Sequence, residues 1–212
     1  MRFANRRRAG EQLGQAVAAL DPSSPVVYAL PRGGVPVGYE VARVLGCPLD
    51  ILIVRKIGVP FQPELAMGAI AEGDVTVRNH DVIDAAGVTE SDFERVAAAE
   101  RRELERRVST FRGKTGQITP NGHTAVVVDD GLATGSTALA AVSVLGQQGA
   151  AALWLAVPVA PPASLGRLDE IVDRMVILQR PRGFGAVGSW YRDFTQTSDE
   201  EVRDLLAEAR LA

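Results

Sequence analysis

Short runs of β-branched and aliphatic residues alternate along this chain with longer stretches in which apolar positions recur every three or four residues. Leu13, Val17 and Leu20 predict an amphipathic helix over about residues 8–20, ending before Asp21-Pro22. Val26 to Leu30 reads as a short buried strand running into the turn Pro31-Arg32-Gly33-Gly34. A helix over Val37 to Leu45 and a second apolar strand, Leu49 to Val54, complete a βαβ unit, which implies a parallel sheet.

Residues 55–73, with two prolines and several glycines, read as a loop leading into a strand near Met67 to Ala71. Thr89 to Arg112 is the longest helical signal. Thr89 and Asp92 form a weak capping box, and Phe93, Ala97, Leu104, Val108 and Phe111 make one apolar stripe. Its other face is rich in Glu and Arg, with Glu103 and Arg107 at i,i+4, and reads as a solvated face whose arginines could also meet a polyanion. Further on, strands are predicted at Thr124 to Val128, Ala152 to Val157 and Val172 to Leu178. A helix should run to about Leu145, and a last one over Ser198 to Glu208 with Ser198 as its cap. Trp154, inside an apolar strand, is assigned to the core.

The 212 residues, 46% hydrophobic and 23% charged, suit one α/β domain with a substantial core. A net charge of −3 argues against broad binding to nucleic acid, which relies on excess basic surface. Cys47 is the only cysteine and His80 and His123 the only histidines, so an internal disulfide and a Cys/His zinc cluster are both excluded. A reducing cytoplasm is the expected compartment. The polar stretch Glu11 to Gln15 interrupts any signal-peptide core, and no apolar run reaches the roughly 18 residues of a membrane span.

The chemistry concentrates after Val128. Small residues there allow close backbone approach, the N–H groups of Leu132 to Ser136 can cradle a phosphate at a helix start, and Ser136 and Thr137 add hydroxyls. The adjacent carboxylates of Asp129 and Asp130 would repel such a phosphate. Vicinal hydroxyls of a sugar supply their partner, with a divalent cation to offset the charge.

The stretch Val126-Val127-Val128-Asp129-Asp130-Gly131-Leu132-Ala133-Thr134-Gly135-Ser136-Thr137 resembles the phosphoribosyl pyrophosphate signature of type I phosphoribosyltransferases. The resemblance implies that fold: a five-stranded parallel core sheet flanked by helices, over residues 1–212 as a single domain. A small variable hood is then expected from residues 1–22 and 180–212. It also implies that Asp129 and Asp130 hold the ribose hydroxyls and, directly or indirectly, Mg2+, while Gly131 to Thr137 hold the 5′-phosphate. Arg32-Gly33-Gly34 is similar to the pyrophosphate loop of xanthine-type enzymes, which makes Arg32, with Asp129 and Asp130, the expected catalytic set. Arg55 and Lys56 either contact the pyrophosphate or form an ordinary exposed basic pair. Glu64 and Glu72 read as carboxylates of helix starts and surface, with a metal-side role as the alternative.

The chain departs from the family in two places. Ala133 stands where 6-oxopurine enzymes carry an Asp, and Pro31 replaces a small polar residue common in xanthine enzymes. Phe184, Trp190, Tyr191 and Phe194 either stack on a flat acceptor or pack the C-terminal helix onto the core. The expected activity is transfer of the phosphoribosyl group to a nitrogen of a small-molecule acceptor, a nucleobase first among them, with release of pyrophosphate. The alternative is a non-catalytic sensor of the same ligand. Whether copies associate into a homo-oligomer is left open.

Overall fold

The computed structural model describes residues 2–73, 75–112 and 116–211. Helix α1, Arg6–Ala18, is capped by Asn5, whose Oδ1 accepts from the Arg8 N–H at 2.9 Å. Strand β1, Pro25–Ala29, leads into α2, Gly34–Leu45, and then β2, Leu49–Ile51. The helix begins three residues earlier than its apolar pattern indicates, so Gly33 and Gly34 are its cap and first residue rather than a separate turn.

The first correction follows directly. Residues 54–78 form a three-stranded antiparallel sheet of β3, Val54–Val59, β4, Gln62–Ala71, and β5, Val75–Arg78. The prolines that suggested a loop sit at its irregular end: Pro60 follows β3, and Pro63 lies beside Gly58, where the pairing register shifts. The small sheet beside the parallel one therefore comes from the middle of the chain. The terminal segments, expected to form the variable part, meet each other through a bridge of Phe3 with Tyr191.

Two helices follow, α3, His80–Ala86, and α4, Glu90–Phe111. Thr89 caps α4 as expected, its Oγ1 accepting from the Asp92 N–H at 3.2 Å. Strand β6, Thr124–Val128, then gives way to α5, Ser136–Gln147, and β7, Ala152–Val159, to a short α6, Gly166–Asp169, and β8, Arg174–Gln179. The last helix, α7, Asp199–Ala209, carries the predicted Ser198 cap.

The main sheet has the order β2-β1-β6-β7-β8, every pair parallel. Alternation along its strands feeds two cores. Val27, Ala29, Val126, Val128 and Trp154 face one layer with α1, α2, α4 and α7. Val26, Tyr28, Ala125, Val127 and Leu155 face the other, where Ala138, Ala141, Val144 and Leu145 of α5 pack. Because α2 and α5 cover opposite faces, the loops after β1 and β6 diverge from neighbouring strand ends. They leave a crevice there, the topological switch point at which open parallel sheets bind ligands.

A buried charge cluster ties α4 to both sheets. The Arg112 guanidinium donates to Asp50 Oδ1 at 2.7 Å and to the Ile51 carbonyl at 2.7 Å, and to Glu72 Oε1 at 3.1 Å. Its Nε lies 2.5 Å from Glu72 Oε2 but without hydrogen-bond alignment. Glu72, expected at the surface, is thus an interior residue, and burial pushes its carboxyl up despite the arginine. Removing one member of a buried pair strands the others' charge, a loss of about 3–5 kcal/mol. Arg112→Met should therefore lower the unfolding free energy obtained from urea titration by that margin, while Glu64→Gln, at an exposed partner of Lys56, should leave it unchanged.

Candidate functional site

Ala29 of β1 and Val128 of β6 are paired in register, so the pyrophosphate-type loop and the acidic pair start side by side. Their contact is tight. A Cβ on Gly33 would fall 2.1 Å from Asp130 Oδ2, and one on Gly34 3.0 Å from Asp129 Cα and 2.8 Å from the Val128 carbonyl oxygen. The glycines are therefore required by the approach of the acidic pair, not by backbone angles, since Gly33 sits at φ −59. The Gly34 N–H is already used by the Leu30 carbonyl at 3.0 Å, so it is not a free donor.

Beyond the acids, the chain turns into α5. Gly135, at φ +75, caps that helix in a left-handed conformation, and a Cβ there would lie 2.8 Å from the Ser164 carbonyl oxygen. Leu132 is buried and its N–H donates to the Val159 carbonyl at 2.9 Å, so the expected cradle loses its first member. Ala133, Thr134 and Thr137 are exposed, and the Thr134 and Ser136 hydroxyls lie 3.0 Å apart. The first-turn N–H groups of α5 and these hydroxyls remain a compact anion seat on the positive end of a helix.

A cleft of about 520 Å³ opens beside this seat, lined by Asp129, Ser136 and Thr137 on one side. Arg55 and Lys56 of β3 line it too, which places them in the antiparallel sheet rather than at the end of β2. Arg55 is paired with Glu100 and Lys56 with Glu64. The opposite wall is α4, through Arg95, Glu100 and Arg107, so part of the helix face that read as solvated borders the cleft. Sequence could suggest these arginines but not their direction.

Arg32 is placed elsewhere. Its guanidinium donates to Asp199 Oδ1 at 3.2 Å, at the first residue of α7. The Pro31–Arg32 peptide is cis.

The two acids differ. Asp129 Oδ1 accepts from the Asp130 N–H at 2.8 Å, and among the described residues no cation pairs with it. Asp130 Oδ2 accepts from Arg6 Nε at 2.8 Å, and its backbone carbonyl accepts from the Tyr191 hydroxyl at 2.6 Å. Burial raises both carboxyls above their ordinary range, Asp129 well above it because its neighbour's charge adds to the burial; Arg6 works against the rise at Asp130. Tyr191 and Phe194 stack on each other at 5.1 Å, and Tyr191 on Phe3 at 5.5 Å. This aromatic cluster therefore packs the N-terminal segment, not α7, against the site. Trp190 is held by its Nε1 donating to the Phe184 carbonyl at 3.0 Å.

An anion seat and a crowded acid pair thus lie at the switch point of a parallel sheet, where open α/β sheets bind ligands. The chain belongs to the phosphoribosyl transferase domain family, whose model matches residues 6–189, and it has the type I phosphoribosyltransferase fold. Proteins from two strains of Mycobacterium tuberculosis, named provisionally as phosphoribosyl transferases, are 48% identical over 207 residues, 98% of this chain. That match covers 47% of their length, so the chain spans about half of these relatives. The crystal structure of TT1426 from Thermus thermophilus superposes with a TM-score of 0.93 at 43% identity, covering 98% of this chain and 99% of that one. AQ2163 from Aquifex aeolicus shares the fold at a TM-score of 0.51 and 12% identity, over 95% of this chain and 84% of its own.

The raised Asp129 has a consequence for stability. A carboxyl that holds its proton more tightly folded than unfolded contributes stability below its ordinary range, and that contribution is lost as pH rises through the raised value. Asp129→Asn should therefore raise the unliganded melting temperature at about pH 8 by roughly 2–4 °C for each kcal/mol of relieved repulsion. The gain should vanish near the ordinary carboxylate range, about pH 4. Differential scanning fluorimetry across that range checks it.

Proposed function

We propose that this protein transfers the 5-phosphoribosyl group from phosphoribosyl pyrophosphate to a nitrogen of a small-molecule acceptor, a nucleobase first among them, and releases pyrophosphate. The observation that carries this reading is the meeting of the phosphate seat at 133–137 with the acidic pair 129–130 at one crevice. The seat takes the 5′-phosphate, and Asp129 and Asp130 accept from the ribose hydroxyls. In the reaction the C1–oxygen bond to pyrophosphate breaks, the acceptor nitrogen bonds to C1, and the electron pair leaves on pyrophosphate.

Magnesium fits this site only as a shared ion. Among the described residues no three His, Cys, Asp or Glu side chains gather to hold a metal, so Asp129 and Asp130 would supply at most part of the shell and the ligand's oxygens the rest. When bound, it offsets negative charge on the pyrophosphate. The protein's own tasks are to fix the ribose, to place Arg55 and Lys56 along the leaving group, and to keep water from the cation-like C1. Arg32 serves as the catalytic cation of the departing group once it leaves Asp199. Both sheets share core residues, which suits one domain over the chain.

The Arg32–Asp199 pair also favours a second reading, a non-catalytic sensor of the same ligand, since in this state the loop cation is engaged outside the cleft. Turnover separates them. Calorimetry should show phosphoribosyl pyrophosphate binding that EDTA weakens strongly, and a panel of purines, pyrimidines and amines should reveal pyrophosphate release with at least one. Binding of ATP in place of phosphoribosyl pyrophosphate would remove the reading. Arg32→Ala should lower kcat more than it raises KM, by about 10²-fold or more, the range of a lost charge-stabilising donor; unchanged kcat would favour the sensor. Gly135→Val should stay folded but lose ribose 5-phosphate binding.

A further inference from the structure

Asp130 is the point where three distant segments of the chain converge. From α1, Arg6 Nε donates to its Oδ2 at 2.8 Å, with the two side chains only 11% and 14% exposed. The same guanidinium donates through Nη1 to the Thr195 carbonyl at 2.7 Å and lies over the Phe194 ring, 3.8 Å from its centroid. From the C-terminal segment, the Tyr191 hydroxyl holds the Asp130 carbonyl. From the loop after β1, Gly33 leaves the space: a Cβ there would stand 2.1 Å from Asp130 Oδ2 and 3.3 Å from Arg6 Nε. Nε of the Arg6 head is thus bonded to the carboxylate while Nη1 and the guanidinium face anchor it to the C-terminal segment, with both side chains largely buried.

Asp129 has no such partner. We propose that Arg6 is a positioning residue that neutralises and orients Asp130, so that only Asp129 is left without a paired cation beside a ligand that is itself a polyanion. This deepens the proposed function and rests on it. Two uncompensated carboxylates beside bound phosphates would repel them; one compensated and one free lets the site accept hydroxyls from both while facing the phosphates with half the charge. The planar fork of arginine suits the task because it bonds a carboxylate and a carbonyl at once while its face rests on an aromatic ring.

The test is a double-mutant cycle read by calorimetry with phosphoribosyl pyrophosphate and Mg2+. Arg6→Met should weaken binding about tenfold or more, within the range of directly coupled side chains. Asp130→Asn alone should also weaken it, because Asp130 itself accepts from the ribose hydroxyls, so the inference is read from the coupling and not from that single variant. In the Asp130→Asn background, where no charge is left to neutralise, Arg6→Met should cost less than about threefold. Arg6→Lys, which keeps the charge but not the planar fork, should recover only part of the affinity. Circular dichroism and the melting curve show which variants are folded, and the paired Asp130→Asn background serves where Arg6→Met alone is not. An Arg6→Met protein that binds like wild type, or one whose loss persists undiminished beside Asp130→Asn, overturns the inference while the functional reading stands. Absence of binding by the wild type overturns both.

Discussion

The parallel pairing of β1 with β6 is the constraint on which the site depends. Strand order β2-β1-β6-β7-β8 sends the chain to one side after β1 and to the other after β6, so two helices diverge on opposite faces and the crevice between them stays open. Register then matters. With Ala29 opposite Val128, the glycines after β1 are held against Asp129 and Asp130, and no residue with a side chain fits at Gly33. The two motifs are one object in space, although about a hundred residues separate them in sequence.

Around that crevice the protein spends stability on charge. Burial raises the carboxyls of Asp129 and Asp130, and at Asp129 the neighbouring charge adds to the rise. The remainder of the charged interior is closed by pairing. Asp50 and Glu72 are bound to Arg112, and the two oxygens of buried Glu40 accept from Arg7 and Arg43 at 2.7 and 2.8 Å. Those clusters fasten α4 and α1, the helices that supply one cleft wall and the Arg6 contact. Structural pairs hold the frame, and among the described residues Asp129 stands without a paired cation beside the cleft.

Much of this was legible in the chain. The strands of the main sheet, the caps at Thr89 and Ser198, the core position of Trp154 and the family-defining stretch 126–137 all follow from local pattern: short continuous apolar runs, side-chain oxygens ahead of helices, and small residues after a β-branched run. Such signals are short-range, and they survive in any fold that keeps the strand. What local pattern misread was also local in form. Prolines and glycines in 55–73 spoke for a loop, yet Pro60 and Pro63 occupy the irregular end of a hairpin whose remaining residues pair regularly.

Only the tertiary structure decided which polar groups are available. The Leu132 N–H looks like a phosphate donor until β7 brings the Val159 carbonyl to it, and Glu72 looks like surface until α4 delivers Arg112. Arg32 reads as a cleft residue, but α7 places Asp199 within its reach. The two aspartates, identical in sequence context, become different because α1 lies over one and not the other. Sequence alone determined the strands of the main sheet, the caps at Thr89 and Ser198 and the run of small residues beside two acids, since each depends on neighbours within a few residues. Which donors stay free and which carboxylate is paired depend on partners about 30 to 190 residues away, set by packing of the whole chain.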